Sequence, residues 1–245
     1  MLLHGFPFDH TIWATQLTGL ADVARVLAPD LPGFGASPPL PGAPEDATMD
    51  AYARALLGWA DAQGLARFVL AGHSMGGYIA FALARLAPER LAGLILVDTR
   101  PGPDNAEGRA RRYRLAEAVG RDGASAVVAA MLPTLLAPGD RQPAVTARLR
   151  AIMARQAPEA IRAALFAMAA RPDSTPLLAT LTQPVLLVSG ADDVTVPPAE
   201  SETMRDRLRD AAYVAIPAAG HMPMLEAPDT LNAAIRPWLA ALPRA

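Results

Sequence analysis

The chain has 245 residues, of which 52% are hydrophobic and 19% charged, a composition typical of globular rather than disordered proteins. Its formal net charge is -2, so no basic surface indicates a nucleic-acid partner. The absence of cysteine excludes disulfides, thiolate metal sites and a cysteine nucleophile. No apolar run approaches the ~20 residues that span a bilayer, and no signal peptide is visible. We therefore expect a cytoplasmic protein with no nucleic-acid or membrane partner, no cofactor and no metal.

Short apolar segments alternate with longer helical patterns along most of the chain. The predicted strands are residues 1–4, 24–29, 68–72, 93–98, 185–189 and 213–216, and the predicted helices between them are residues 50–63, 75–86, 198–208 and 230–241. Most of these strands are apolar throughout, which is typical of parallel strands buried on both faces. The pattern predicts an α/β fold with a mostly parallel sheet and helices on both faces.

One long stretch interrupts this alternation. It contains helical patterns at residues 107–119, 124–131, 145–154 and 160–170, with prolines between them and no convincing strand. We predict that residues 99–180 form a helical cap inserted into a core of residues 1–98 and 181–245.

The strongest chemical signal is Gly72-His73-Ser74-Met75-Gly76, which fits G-x-S-x-G between an apolar strand and a helix. That context is required for a nucleophile elbow, in which a sharp turn presents the serine at the carboxyl edge of the sheet. Ser74 is therefore the predicted nucleophile. A serine hydroxyl is weak alone, so it needs a neighbouring base.

Four histidines could serve as that base, namely His4, His10, His73 and His221. His73 lies inside the elbow, and His4 precedes a glycine at the end of the first strand. His221 follows the last predicted strand, where the base of such a fold would lie. We therefore predict His221 as the general base.

An acid that orients the histidine should follow a strand between the serine and the base. Asp192 and Asp193 stand side by side after the strand at residues 185–189, and Asp193 is preferred. Asp98, at the end of the preceding strand, is a second alternative. The chain order Ser, Asp, His agrees with α/β-hydrolases and with neither chymotrypsin nor subtilisin.

The negative charge of a tetrahedral intermediate needs two hydrogen-bond donors. One would be the backbone N–H of Met75, directly after the nucleophile. The second should come from the loop after the first strand, where Phe6 has an N–H and Pro7 has none. We predict the backbone N–H groups of Phe6 and Met75 as the oxyanion hole.

Together these segments resemble the α/β-hydrolase superfamily, in its group of small esterases, lactonases, carbon–carbon hydrolases and cofactor-free haloperoxidases. The matching segments are residues 2–7, residues 30–37, residues 72–77, Gly190-x-x-Asp193-x-x-x-Pro197 and Gly220-His221. They span nearly the whole chain outside the predicted cap. The resemblance implies that the acid is the aspartate three residues after the glycine, which is Asp193. It also implies a cap at the position of residues 99–180.

The sequence departs from this family in one respect. Family members usually have two antiparallel strands before the His-Gly-Phe strand, and we expect these first two strands to be absent here. Without them, the strand predicted at residues 24–29 would form an open sheet edge, which is a template for pairing with another chain. Two outcomes stay open: a homodimer that covers this edge, or a short edge that is tolerated uncovered.

The predicted cap supplies apolar candidates for a substrate pocket. Met131, Leu135 and Met168 from the cap and Met222 from the core would make a deformable apolar lining. Arginines also cluster at the start of the cap, and we expect most of them to form a solvated helix face paired with Asp104, Glu107 or Glu117. Arg100, directly after a strand, is the one arginine of this group that could reach the pocket, but the sequence favours a solvated position and does not indicate an anionic substrate.

The function predicted from these residues is hydrolysis of small carboxylic esters through an acyl-enzyme. Hydrolysis of lactones or enol-lactones, or perhydrolysis, is the nearest alternative. A hydrolase-like ligand receptor with little turnover is an alternative of a different class. A serine nucleophile argues against haloalkane dehalogenase and epoxide hydrolase activity, which use a carboxylate at this position.

Overall fold

A five-stranded parallel sheet runs through the centre of the computed structural model, which describes residues 1–139 and 142–242. Its strands, in their order across the sheet, are β1 (Leu2–Leu3), β2 (Phe68–His73), β3 (Leu91–Val97), β4 (Val185–Gly190) and β5 (Ala211–Ile216). The α/β architecture predicted from the strand–helix alternation is confirmed.

The middle of the sheet is the apolar centre of the core. Every residue of β4 is buried, and so are all but one in each of β2 and β3. The edge strand β5 is mostly half-exposed. This difference follows from position, because a central parallel strand is covered by helices on both faces.

The strand predicted at residues 24–29 is not a regular strand. In this segment the carbonyl oxygen of Leu27 accepts one hydrogen bond from the N–H of Leu2, at 2.8 Å. A ladder needs a repeated series of such bonds, and the two-residue strand β1 is too short to supply one. The homodimer predicted from this edge stays a prediction.

Eleven α-helices occupy the described residues. They are α1 (Ala14–Gly19), α2 (Met49–Ala62), α3 (Met75–Leu86), α4 (Ala106–Asp122), α5 (Ala124–Met131), α6 (Pro143–Ala154), α7 (Pro158–Ala169), α8 (Thr175–Leu178), α9 (Pro198–Arg205), α10 (Pro223–Glu226) and α11 (Pro228–Ala241). In this set, no helix combines the length and the apolarity that a membrane span requires.

Local sequence explains where two of these helices begin. The Thr48 side chain accepts the N–H of Ala51 and so caps α2, as expected for a hydroxyl residue before a helix. The Asn105 side chain accepts the N–H of Gly108 in the same way and caps α4.

The five helices α4 to α8 lie between β3 and β4, in the stretch predicted to be a cap. No strand interrupts them within residues 98–139 and 142–184. Helix α4 packs against α7, and α7 also contacts the short 3₁₀ helix Pro44–Asp46 that precedes α2. The division of the chain into a core and a cap of residues 99–180 stays a prediction.

The glycines of the chain allow a matched test of packing. A side chain at Gly72 would collide with the backbone carbonyl of Gly76. We therefore expect Gly72→Ala to lower the free energy of unfolding by about 1–3 kcal/mol, the usual range for overpacking. Gly58 lies exposed inside α2 with no atom within 4 Å of an added Cβ. Gly58→Ala should therefore stabilise the protein by about 0.5–1 kcal/mol.

Urea unfolding of the two variants measures both effects. Equal midpoints for the two glycine variants would contradict the close approach of β2 to the start of α3.

Candidate active site

Ser74 lies at the turn between β2 and α3, in a strained backbone conformation. Its φ of 51° and ψ of -111° fall where non-glycine residues rarely lie, at a cost of about 1–3 kcal/mol. The turn is held by its neighbours: the Ser74 N–H donates to the Val97 carbonyl at 2.9 Å, and the Thr99 hydroxyl donates to the Ser74 carbonyl at 2.8 Å. The backbone also needs Gly76, because a Cβ there would lie 2.8 Å from the Leu3 carbonyl oxygen.

His221 is held from three directions. Its Nδ1 lies 2.7 Å from Oδ2 of Asp193. Its backbone N–H donates to the Leu135 carbonyl at 2.9 Å, and its carbonyl accepts from Nε2 of His73 at 2.8 Å. Because a carboxylate accepts at Nδ1, the proton resides there and Nε2 stays free to accept another.

Asp193 is buried, and both of its carboxylate oxygens have partners. Oδ2 faces His221, and Oδ1 accepts the N–H groups of Thr195 at 2.7 Å and Val196 at 3.0 Å. Burial alone would raise the pKa of Asp193, but the charge of His221 and these hydrogen bonds lower it on balance. Asp192 is exposed, so the structure places Asp193 rather than Asp192 against the histidine.

Asp98 lies behind this pair as a second buried carboxyl group. Carboxyl oxygens of Asp98 and Asp193 and a ring nitrogen of His221 lie within 4.8 Å of one another. Among the described residues, Asp98 accepts the N–H of Gly190 at 2.8 Å through Oδ1, while Oδ2 has no donor. Burial and the charge of Asp193 raise the pKa of Asp98 well above its usual range, which favours the protonated form of this carboxyl group.

Of the two N–H groups predicted to form an oxyanion hole, one directly follows Ser74 in the chain, and the other belongs to a residue that lines the same cavity. Met75 is the first residue of α3, where the helix N-terminus favours negative charge. Phe6 lies in the loop after β1 and lines the same cavity as Ser74. Within the described part of the chain, neither N–H donates to another group.

Ser74 and His221 both line a cavity of about 570 Å³, a volume typical of small-molecule sites. Of the apolar residues predicted for the pocket, Met131 and Met168 line this cavity. Leu135 and Met222 do not; both are fully buried. Leu135 instead contributes its backbone carbonyl to the hydrogen bond that holds His221.

Comparison with known proteins matches this architecture. The family model described as the alpha/beta hydrolase fold matches residues 1–228. The chain belongs to the α/β-hydrolase family. This also confirms the resemblance drawn from the motifs, and the protein is accordingly a hydrolytic enzyme.

Three similar proteins of this family illustrate the range of its members. A pimeloyl-[acyl-carrier protein] methyl ester esterase from Aromatoleum aromaticum is 32% identical over 94% of this chain and 93% of its own. A thermophilic esterase from Thermogutta terrifontis, solved with malate bound, has a TM-score of 0.94 and 44% identity, over 98% of this chain and 88% of its own. An enol-lactonase from Burkholderia xenovorans has a TM-score of 0.86 and 26% identity, over 98% of this chain and 90% of its own.

The other histidines of this α/β-hydrolase have structural contacts. His4 is fully buried, and its Nε2 accepts the N–H of Leu31 at 2.9 Å while Nδ1 donates to the Gly5 carbonyl at 2.9 Å. Burial lowers the pKa of His4 to about 4, so the ring stays neutral. His10 pairs with Asp30 at 2.7 Å. His73 donates to the backbone of His221, as described above.

Glu226, which sequence reasoning did not single out, anchors the loop that carries His221. Its Oε1 accepts the N–H groups of Gly220 at 2.9 Å and Met222 at 3.1 Å, on either side of the histidine. Its Oε2 accepts the N–H of Ala137 at 2.8 Å, which ties this loop to the segment before α6. In the sequence, Glu226 is visible only as a glutamate five residues after His221, and nothing there indicates which N–H groups it binds.

The raised pKa of Asp98 can be tested by replacing this residue with a neutral amide. Asparagine can keep the hydrogen bond from Gly190 and tolerates the positive φ of 45° at this position. Because the pKa is raised in the folded protein, the wild type loses stability as the pH rises above about 4, where the unfolded chain releases this proton.

We therefore expect Asp98→Asn to have a larger free energy of unfolding than the wild type at about pH 7 and to lose that advantage at about pH 4. Urea unfolding at both pH values measures the difference, with exposed Asp192→Asn as the control without a pH-dependent effect. A stability difference that is the same at both pH values would contradict a raised pKa at Asp98.

Proposed function

We propose that this protein hydrolyses small carboxylic esters through an acyl-enzyme formed on Ser74. The observation that carries the proposal is the 2.7 Å contact between the buried Asp193 carboxylate and His221, in a cavity that His221 shares with the strained Ser74. This geometry supports the assignment of Ser74 as the nucleophile, of His221 as a base with a free nitrogen and of Asp193 as the acid that orients it.

In the first half of the reaction, Oγ of Ser74 attacks the ester carbonyl carbon while Nε2 of His221 takes the hydroxyl proton. The N–H groups of Phe6 and Met75 donate to the oxyanion of the tetrahedral intermediate. When the intermediate collapses, the carbon–oxygen bond to the alcohol breaks, and His221 returns the proton to the departing alkoxide. An alcohol leaves and the acyl group stays on Ser74.

In the second half, water takes the place of the alcohol. His221 removes a proton from the water as it attacks the acyl carbon, and the same N–H groups stabilise the second oxyanion. Collapse of this intermediate breaks the bond to Ser74, whose oxygen recovers the proton from His221. The products are a carboxylic acid and the free enzyme.

Asp193 acts on His221 rather than on the substrate. Its carboxylate keeps the Nδ1 tautomer and stabilises the imidazolium that forms in each step. Burial and the neighbouring Asp193 disfavour ionisation of Asp98, which would add a second negative charge beside this pair.

Lactone hydrolysis is a second candidate, supported by the likeness to the enol-lactonase from Burkholderia xenovorans. A lactone would follow the same steps, except that the alcohol stays attached to the acyl group after ring opening. The higher identities to the two esterases, 44% and 32%, support ester hydrolysis as the first candidate for this protein.

Removing the nucleophile tests the central claim. Ser74→Ala should lower the turnover of para-nitrophenyl acetate on the order of 10⁶-fold, as loss of the nucleophile does in serine hydrolases. The exposed Ser125→Ala, outside the cavity, should retain wild-type turnover. Near-wild-type activity in the Ser74 variant would exclude the proposed mechanism.

The wild type should also release a burst of para-nitrophenolate equal to the enzyme concentration if the acyl-enzyme accumulates. A ligand receptor without turnover would release none.

The acid is tested by a pair of neighbouring variants. Asp193→Asn should lower kcat about 10⁴-fold, because the amide favours the wrong tautomer of His221. The exposed Asp192→Asn carries the same change one residue away and should have little effect. A larger loss at Asp192 than at Asp193 would reverse the assignment, and steady-state kinetics with the same ester decides between them.

A further inference from the structure

The cavity over Ser74 carries a concentration of positive charge. Four arginines line it, namely Arg100, Arg111, Arg112 and Arg114, and the described lining contains no aspartate or glutamate. The sequence analysis expected most of these arginines to form a solvated helix face and did not indicate an anionic substrate. Since the whole chain has a net charge of -2, this cationic lining is a local feature and not a consequence of overall composition.

A buried carboxylate offsets part of this charge. Oδ1 of Asp104 lies 2.8 Å from a guanidinium nitrogen of Arg100 and 2.9 Å from one of Arg171, and Oδ2 accepts from Arg112. Glu200 lies 4.0 Å from Arg100 at the surface. Asp104 is only 4% exposed, so one buried carboxylate is shared among three guanidinium groups and an excess of positive charge remains.

The other two arginines lie on the helix that flanks the cavity. Arg111, Arg114 and Leu115 are three and four residues apart in α4, so they share one face of that helix, and all three line the cavity. In the described part of the chain, no carboxylate lies within 4.0 Å of Arg111 or Arg114. Their guanidinium groups are available to an anionic ligand.

We propose that the preferred substrate is a half-ester of a dicarboxylic acid, with its ester carbonyl at Ser74 and its free carboxylate at Arg111 and Arg114. This inference rests on the ester hydrolysis proposed above. Guanidinium groups bind carboxylates through charge-assisted hydrogen bonds, and a cationic cleft raises the local concentration of anions. Met131, Leu165 and Met168, which also line the cavity, can contact the methylene groups between the two ends.

A pair of esters of equal shape tests the substrate class. Para-nitrophenyl hemiglutarate carries a free carboxylate, and a neutral partner carries an isopropyl group in its place. We expect the wild type to prefer the anionic ester in kcat/KM by about tenfold, the combined effect of two partly exposed charge pairs. The preference should fall as sodium chloride is added, because salt screens exposed charges.

A double variant assigns the preference to the two arginines. Arg111→Gln with Arg114→Gln should reduce the ratio of the two kcat/KM values to near one, without leaving any carboxylate unpaired. Arg121→Gln makes the same change in the last turn of α4, outside the cavity, and should leave the ratio unchanged. A wild-type ratio near one, or a ratio that the double variant retains, overturns the proposal.

A binding measurement separates this proposal from the hydrolytic function itself. Calorimetric titration with glutarate should show binding to the wild type and at least severalfold weaker binding to the double variant. If neither ester is hydrolysed but glutarate behaves in this way, the hydrolytic function fails and the anion site stands. If glutarate does not bind the wild type, or binds both proteins equally, the anion site fails.

Discussion

The hydrogen bond between Asp193 and His221 is the contact on which the rest of the site depends. It lies between two loops that follow different strands, β4 and β5, so it exists only when those strands are aligned in the sheet. Because both partners are almost fully buried, water cannot replace either one at low cost. The surrounding structure also holds each partner in place: two N–H groups donate to the second oxygen of Asp193, and Glu226 anchors the loop of His221.

The elbow at Ser74 shows the same dependence in the backbone. A non-glycine residue at positive φ is unfavourable on its own, and here it is maintained by contacts from β3 and by glycines that let β1 and α3 approach. Strands β1, β2 and β3 therefore all contribute to the turn at Ser74. Met75 follows directly at the N-terminus of α3, and its N–H has no acceptor among the described residues; in the proposed mechanism it would stabilise an oxyanion.

Short-range signals explain which parts of the site were predictable from sequence. Ser74, Asp193 and His221 each follow an apolar strand within a few residues, so strand periodicity and the G-x-S-x-G spacing were enough to bring them to one sheet edge. The anchoring contacts of Glu226 and the raised pKa of Asp98 could not be predicted in this way, because both depend on neighbours distant in sequence.

Strand prediction from sequence has the same limit, because the pairing of a strand also depends on neighbours distant in sequence. The buried strands β2, β3 and β4 have strong apolar patterns, whereas residues 24–29 have the composition of a strand but only a two-residue neighbour to pair with. Likewise, helical periodicity places Arg111 and Arg114 on one face of α4, but only tertiary packing decides whether that face meets solvent or the cavity.

His221 lies between groups of opposite charge, because it lines a cavity rich in arginines and also contacts the Asp193 carboxylate. In the proposed mechanism, proton transfer from Ser74 makes His221 cationic, which arginines in the same cavity would oppose and the Asp193 carboxylate would favour. Ionisation of Asp98 would place a second anion beside Asp193, and burial disfavours it. A substrate carboxylate would neutralise the arginines on the open side of the cavity. In that case substrate binding itself lowers the electrostatic cost of forming the imidazolium, so the carboxylate would contribute to turnover as well as to affinity.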